Sequence, residues 1–278
     1  MVNQEARAYK TWNILTELAP HSRPTTYEEL ATKLGTHALA VRYVLSLIQD
    51  YCRDNGRPPL TILVINKQSQ EPGEGFTAWG HENLQDGRTE VRNHDWAREP
   101  NPFAYAADGT TDDDLVNRLL TTPEKSQEVY AKVKVRGMAQ KIFRSALLKA
   151  YNGRCAFSGA SFVETLDAAH IIPWSRCTPD LKMNPQNGIL MLCCHHRLFD
   201  LGILSVDEDF RIVFTNKNGS TLTETDKLLV EKLHGESVAL PTNPLLRPGK
   251  HFIRRRNAEL GQKAEINAIP NAKGRSVQ

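Results

Sequence analysis

No run of about 18 apolar residues, of the kind a membrane span needs, occurs anywhere in the 278-residue sequence. Its first residues, Met1-Val2-Asn3-Gln4-Glu5-Ala6, lack the basic-then-apolar order of a secretory leader, so a cytoplasmic location is the default expectation. Cysteine is scarce and badly spaced for a disulfide framework: Cys52, Cys155, Cys177, Cys193 and Cys194 are odd in number, and no CxxC pair offers a structural zinc knuckle. Charge of one sign is also missing, because the net charge is only +3 and does not by itself announce a nucleic-acid partner. With 40% apolar residues, the chain can fold as a soluble protein of two domains.

The charge that is present is unevenly placed. Residues 81–114 hold nine Asp/Glu and three Arg, whereas residues 125–154 hold eight Lys/Arg and one Glu. An acidic loop beside a solvated basic helix is the ordinary reading. Here the basic helix leads into the segment richest in chemistry-bearing residues, which favours a phosphate-facing role.

Apolar spacing predicts helices over residues 11–56. Trp12, Ile14, Leu15 and Leu18 share a face; Thr25 or Thr26 with Glu28 or Glu29 forms a capping box that opens a second helix ended by Gly35. Leu39, Val41, Val44, Leu45 and Ile48 mark a third, stopped at Asn55-Gly56. Leu60–Ile65 reads as a strand and Glu71–Phe76 as its turn-rich return, so the order is that of a winged helix. The expected organisation is α+β: a winged-helix-like DNA-binding module over 1–76, an acidic linker over 77–122, a nuclease domain over 123–263 and a disordered tail over 264–278.

The most informative residues are Ala168-Ala169-His170-Ile171-Ile172-Pro173-Trp174, then Asn187-Gly188, then Cys194-His195-His196-Arg197-Leu198-Phe199-Asp200. They read as a strand ending in His170, a loop carrying Asn187, a second strand and a helix. Hydrolysis of a phosphodiester needs a base for water, a cation for the developing charge and rigid placement of both. His170 suits the base. His196 and Asp200, four apart on a helix, project from one face and can share a metal. Asn187 has donors and an acceptor with which to tie the loop and hold the His170 backbone.

These motifs resemble the HNH endonuclease family, in the branch with an AHIIPW strand and an HHRxFD helix; the resemblance extends from about Gln140 to Pro244. It implies a ββα-metal nuclease domain in which His170 is the general base, Asn187 the orienting residue and His196 a metal ligand with Asp200 as its partner. It also implies a divalent metal, Mg²⁺ or Mn²⁺ for oxygen-rich ligation, and double-stranded DNA as substrate. The family often has an acidic or His ligand just before the base, where this chain has Ala169. Asp167 lies on the same strand face by period-two alternation and is the expected substitute.

Pro24–Ala31, with Gly35 and Ala40-Val41, resembles the DNA-binding domain of alkyltransferase-like proteins. That likeness implies DNA contact by Tyr27 and by a helix over residues 37–50, and Arg42, Arg53, Arg57 and Lys67 join Tyr27 as candidate DNA-binding residues. Leu39 stands where that family has its base-flipping Arg, and Pro59-Leu60-Thr61-Ile62 where it has its alkyl-acceptor motif, so alkyl transfer is not expected. The readings left open are a DNA-binding regulator with a vestigial nuclease fold, a nuclease for RNA or modified DNA, and a protein-interaction role for the N-terminal helices. One site cuts one strand, so double-strand cleavage calls for a homodimer or two successive events. A setting in restriction or phage defence, with partners from such a system, follows by analogy only.

Overall fold

The computed structural model describes residues 3–216 and 221–268. Two compact units emerge: Met1–Leu115 with Ala131–Ile142, and Val116–Tyr130 with Phe143–Gln278. The boundaries fall inside helices α5 (Asp112–Thr121), α6 (Ser126–Val133) and α7 (Arg136–Ala150). The two units divide the chain after residues 115, 130 and 142, whereas the boundaries expected from the sequence are at 76 and 122.

In the first unit, α1 (Gln4–Leu18), α2 (Tyr27–Leu34) and α3 (Ala38–Asp54) are the three expected helices. The capping box at α2 is Thr26 with Glu29: the Glu29 amide donates to Thr26 Oγ1 at 3.2 Å, and the Thr26 amide donates to Glu29 Oε2 at 3.0 Å. Gly35 then ends the helix at φ 61°, a conformation glycine adopts without a steric penalty.

The wing is where expectation and structure part. Leu60–Leu63 is a 3-10 turn, and β2 (Val64–Ile65) pairs in parallel with β1 (Thr25–Thr26). No hairpin ladder forms with Glu71–Phe76 among the described residues. All of Leu60–Ile65 is buried, so the run serves as core rather than as a half-exposed strand.

The stretch 77–122, expected as an acidic linker, is built into this unit up to Leu115. It contains α4 (Leu84–Asn93) and supplies aromatic core. Trp96 and Phe103 meet Trp12 edge-on, with centroids 5.7 and 6.4 Å away, and Tyr51 closes the cluster on Trp12 at 5.5 Å. Its acidic residues also account for part of the basic run: Lys132 pairs with Asp108 at 2.7 Å and Lys141 with Asp112 at 3.0 Å.

The second unit contains the antiparallel pair β3 (Leu166–His170) and β4 (Gly188–Leu192), then α8 (Cys193–Asp200), a small hairpin of β5 (Leu204–Val206) and β6 (Ile212–Phe214), α9 (Glu224–Leu229) and α10 (Lys250–Ala268). This is the ββα unit read from the sequence. Phe143 and Leu147 of α7, Leu166, Ile171, Ile189, Met191, Phe199, Phe252 and Ile253 share one buried core. Because α10 runs to Ala268, the boundary expected at 263 falls within a helix; the rest of the expected disordered tail lies outside the described residues.

Candidate active site

Pairing of β3 with β4 sets His170 opposite Gly188 and Asp167 opposite Met191. Gly188 is required by packing, since a Cβ there would lie 2.6 Å from Phe143 Cζ and 2.5 Å from Leu147 Cδ1. This close approach lets Phe143 lie almost parallel to the His170 ring, with centroids 4.3 Å apart and planes at 22°. Trp174 meets the same ring edge-on at 5.5 Å. His170 Nε2 lies 3.0 Å from the Lys182 carbonyl oxygen. A carbonyl only accepts, so this contact puts the proton of a neutral ring on Nε2 and the basic lone pair on Nδ1. The Lys182 side chain is itself held: its Nζ donates to Tyr130 Oη at 3.0 Å and lies over the Tyr130 and Trp174 rings.

Asn187 is fully buried at the end of the loop that returns from His170. Its Oδ1 accepts from the Ile172 amide at 2.8 Å, and its Nδ2 donates to the Ile172 and Leu181 carbonyls at 3.3 and 3.2 Å. The Asn187 carbonyl also accepts from the Ile171 amide at 2.9 Å. One side chain thus ties both ends of the loop together just beyond the strand end that presents His170.

Asp167 and Asp200 both reach His196, on different ring nitrogens. Asp167 Oδ2 is 3.1 Å from Nδ1, and Asp200 Oδ2 is 3.5 Å from Nε2. Two nitrogens of one imidazole cannot bind the same ion, and the two carboxylates lie on opposite edges of the His196 ring. Among the described residues, no three His, Cys, Asp or Glu side chains form a metal cluster. The donor chemistry nevertheless suits a metal at the Asp167 edge. Asp167 Oδ2 and His196 Nδ1 offer one oxygen and one nitrogen donor 3.1 Å apart. Asp200 then matches the carboxylate that commonly holds the other nitrogen of a metal-ligating imidazole. Ala169, where a ligand often precedes the base, is buried in the core.

Four contacts that support this arrangement were not foreseen from the sequence. Lys182 acts through its backbone oxygen, which no side-chain pattern reveals. Arg144 donates from Nε to the Leu166 carbonyl at 2.9 Å and from Nη2 to the Val163 carbonyl at 2.6 Å, anchoring the start of β3. Cys193 and Cys194 are exposed, whereas Cys155 is buried and lies 3.6 Å from His195 Nδ1. Burial raises its thiol, but hydrogen bonds from His195, Ser158 and the Leu192 amide outweigh that and bring the pKa down to about 6. Arg256, buried on α10, donates from Nη1 to the Ile171 carbonyl at 3.0 Å and from Nη2 to the Phe199 carbonyl. The one-turn pattern Phe252, Ile253, Arg256 is the signal that could have found it.

The five candidate DNA-binding residues divide in the first unit. Tyr27 and Arg42 line one cavity of about 680 Å³ with α3 and residues 72–76, and Tyr27 Oη accepts from the Gly73 amide at 3.0 Å. Arg42 donates to Tyr43 Oη at 2.6 Å, beside Leu39, which is 74% exposed. Lys67 is exposed. Arg53, by contrast, is paired with Asp50 at 2.6 Å and Asp54 at 3.5 Å, and Arg57 with Glu99 at 2.9 Å.

No helix among the described residues is long and apolar enough to cross a membrane. No curated protein matches the chain. Residues 155–207 match the family model of the HNH endonucleases, HNH_2, a stretch that contains Asp167, His170, Asn187, His196 and Asp200.

Proposed function

We propose that the HNH endonuclease segment hydrolyses DNA phosphodiester bonds with a divalent metal, Mg²⁺ or Mn²⁺. The observation that carries this reading is the fixed tautomer of His170, whose Nε2 is engaged by the Lys182 carbonyl at 3.0 Å. The basic Nδ1 belongs to a ring stacked on Phe143, and it removes the proton from the attacking water. Asn187 is a positioning residue: every polar atom of its side chain is spent on the loop between His170 and β4. Asp167 and His196 hold the metal, and Asp200 orients the His196 ring. When bound, the metal supplies positive charge to the phosphate and to the departing oxygen.

The first unit is the DNA-binding part of this reading. Tyr27, Arg42 and Lys67 are its preferred contacts, because Arg53 and Arg57 already have carboxylate partners that a phosphate must displace. Supercoiled plasmid and RNA, each incubated with Mg²⁺, with Mn²⁺ or with a chelator, provide the test. Metal-dependent cleavage of DNA alone supports the reading. Cleavage of RNA alone changes the substrate, and binding without cleavage in any metal leaves a DNA-binding regulator.

A further inference from the structure

Arg256 lies outside the stretch that matches the HNH family, on a helix that contributes none of the proposed base or metal ligands. Its side chain nevertheless reaches the backbone next to both. Ile171, whose carbonyl accepts from Nη1, directly follows His170; Phe199, whose carbonyl accepts from Nη2, directly precedes Asp200. The guanidinium carbon lies 3.8 Å from the centroid of the Phe199 ring, which fixes its plane as well as its reach. A guanidinium is a rigid fork, so two carbonyls bonded to it are held at a set separation. Phe199 is in the last turn of α8, where a cation is also favoured by the helix dipole.

Stability alone is a poor account of this residue. Arg256 is 5% exposed, and its Nε is buried with no hydrogen-bond partner. Burying a charge is expensive, and apolar residues of similar volume often replace such groups without loss of stability. The neighbouring positions on α10 supply ordinary anchoring: Phe252 and Ile253 belong to the core, and Asn257 donates to the Val206 carbonyl at 2.8 Å. What Arg256 adds is a tie between the strand end that presents His170 and the helix that presents His196.

We propose that Arg256 is a positioning residue of the nuclease site, setting the separation between the general base on β3 and the metal-holding helix α8. This inference rests on the nuclease reading above. Misplacement of reacting groups by about 1 Å can cost about 100-fold in rate, so loss of the tie acts on the chemical step and leaves substrate binding alone.

The test is steady-state plasmid cleavage over a range of DNA concentrations at saturating metal, expressed per folded molecule, for the native chain and for Arg256→Lys, Arg256→Met and Arg256→Ala. Thermal unfolding of each variant supplies the folded fraction, and Arg256→Lys keeps the cation should the smaller replacements fail to fold. The expected result is a fall of about 10- to 100-fold in kcat with KM unchanged. Millimolar guanidinium should restore part of the rate of Arg256→Ala and none of that of His170→Ala. Native kcat per folded molecule in the variants overturns the inference and leaves the nuclease reading intact. A native chain that cleaves neither DNA nor RNA overturns both.

Discussion

Surface cations of both units face carboxylates, whereas the two arginines beside the candidate site of the second unit bond backbone carbonyls. In the first, Arg53, Arg57, Lys132 and Lys141 each face a carboxylate at or near the surface. In the second, Arg144 and Arg256 bond backbone carbonyls, as does the proton on His170 Nε2. Surface pairs of the first kind contribute little and are screened by salt. Contacts of the second kind fix loop ends and strand ends around the candidate site. A count of charges along the chain sees the first group and is blind to the second.

The sharpest way to break this contrast is Asn187→Ala. It leaves the Ile172 amide without its partner in a buried place, at about 1–3 kcal/mol for the unsatisfied group. Thermal unfolding should show a clear loss of stability, and cleavage should vanish with it. A native melting temperature would show that the loop holds itself.

Next come the two carboxylates on His196. Calorimetric titration with Mn²⁺ should find a weakening of about 10- to 100-fold for Asp200→Asn, the effect of losing an orienting partner, and a larger one for Asp167→Asn. The reverse order would move the metal to the Asp200 edge of the ring. A smaller effect is expected in the first unit. Arg42→Ala and Lys67→Ala should each lower the slope of log K against log salt for DNA binding by about 0.9, the value for one phosphate no longer neutralised. Arg53→Ala and Arg57→Ala should leave that slope unchanged. The smallest effect belongs to Lys141→Ala, whose half-exposed pair with Asp112 is worth about 0–1 kcal/mol.

Much of the site could be read from the residues, because a ββα unit writes itself in short range. His170 ends an apolar strand, Asn187 precedes the glycine that begins the next, and His196 and Asp200 sit one helical turn apart. Strand alternation put Asp167 on the face of Ala169, and its carboxylate lies 3.1 Å from His196 Nδ1. The three N-terminal helices were legible for the same reason, down to the Thr26–Glu29 cap.

What could not be read depends on distant chain or on backbone atoms. The acidic stretch hid Trp96 and Phe103, which find Trp12 only in the folded unit. Leu60–Ile65 has the composition of a strand, yet complete burial turned most of it into a 3-10 turn. The Lys182 carbonyl leaves no trace in side-chain spacing, and Arg256 lies 86 positions after His170, on a helix whose apolar pattern lasts a single turn.

The role of His170 as general base is tested most directly by comparing metal-dependent plasmid cleavage by the native chain and by His170→Ala, at equal folded concentration and equal DNA occupancy. Loss of a general base should lower the rate by about 10²- to 10⁴-fold while DNA affinity holds. Equal cleavage by a well-folded His170→Ala chain would contradict that role.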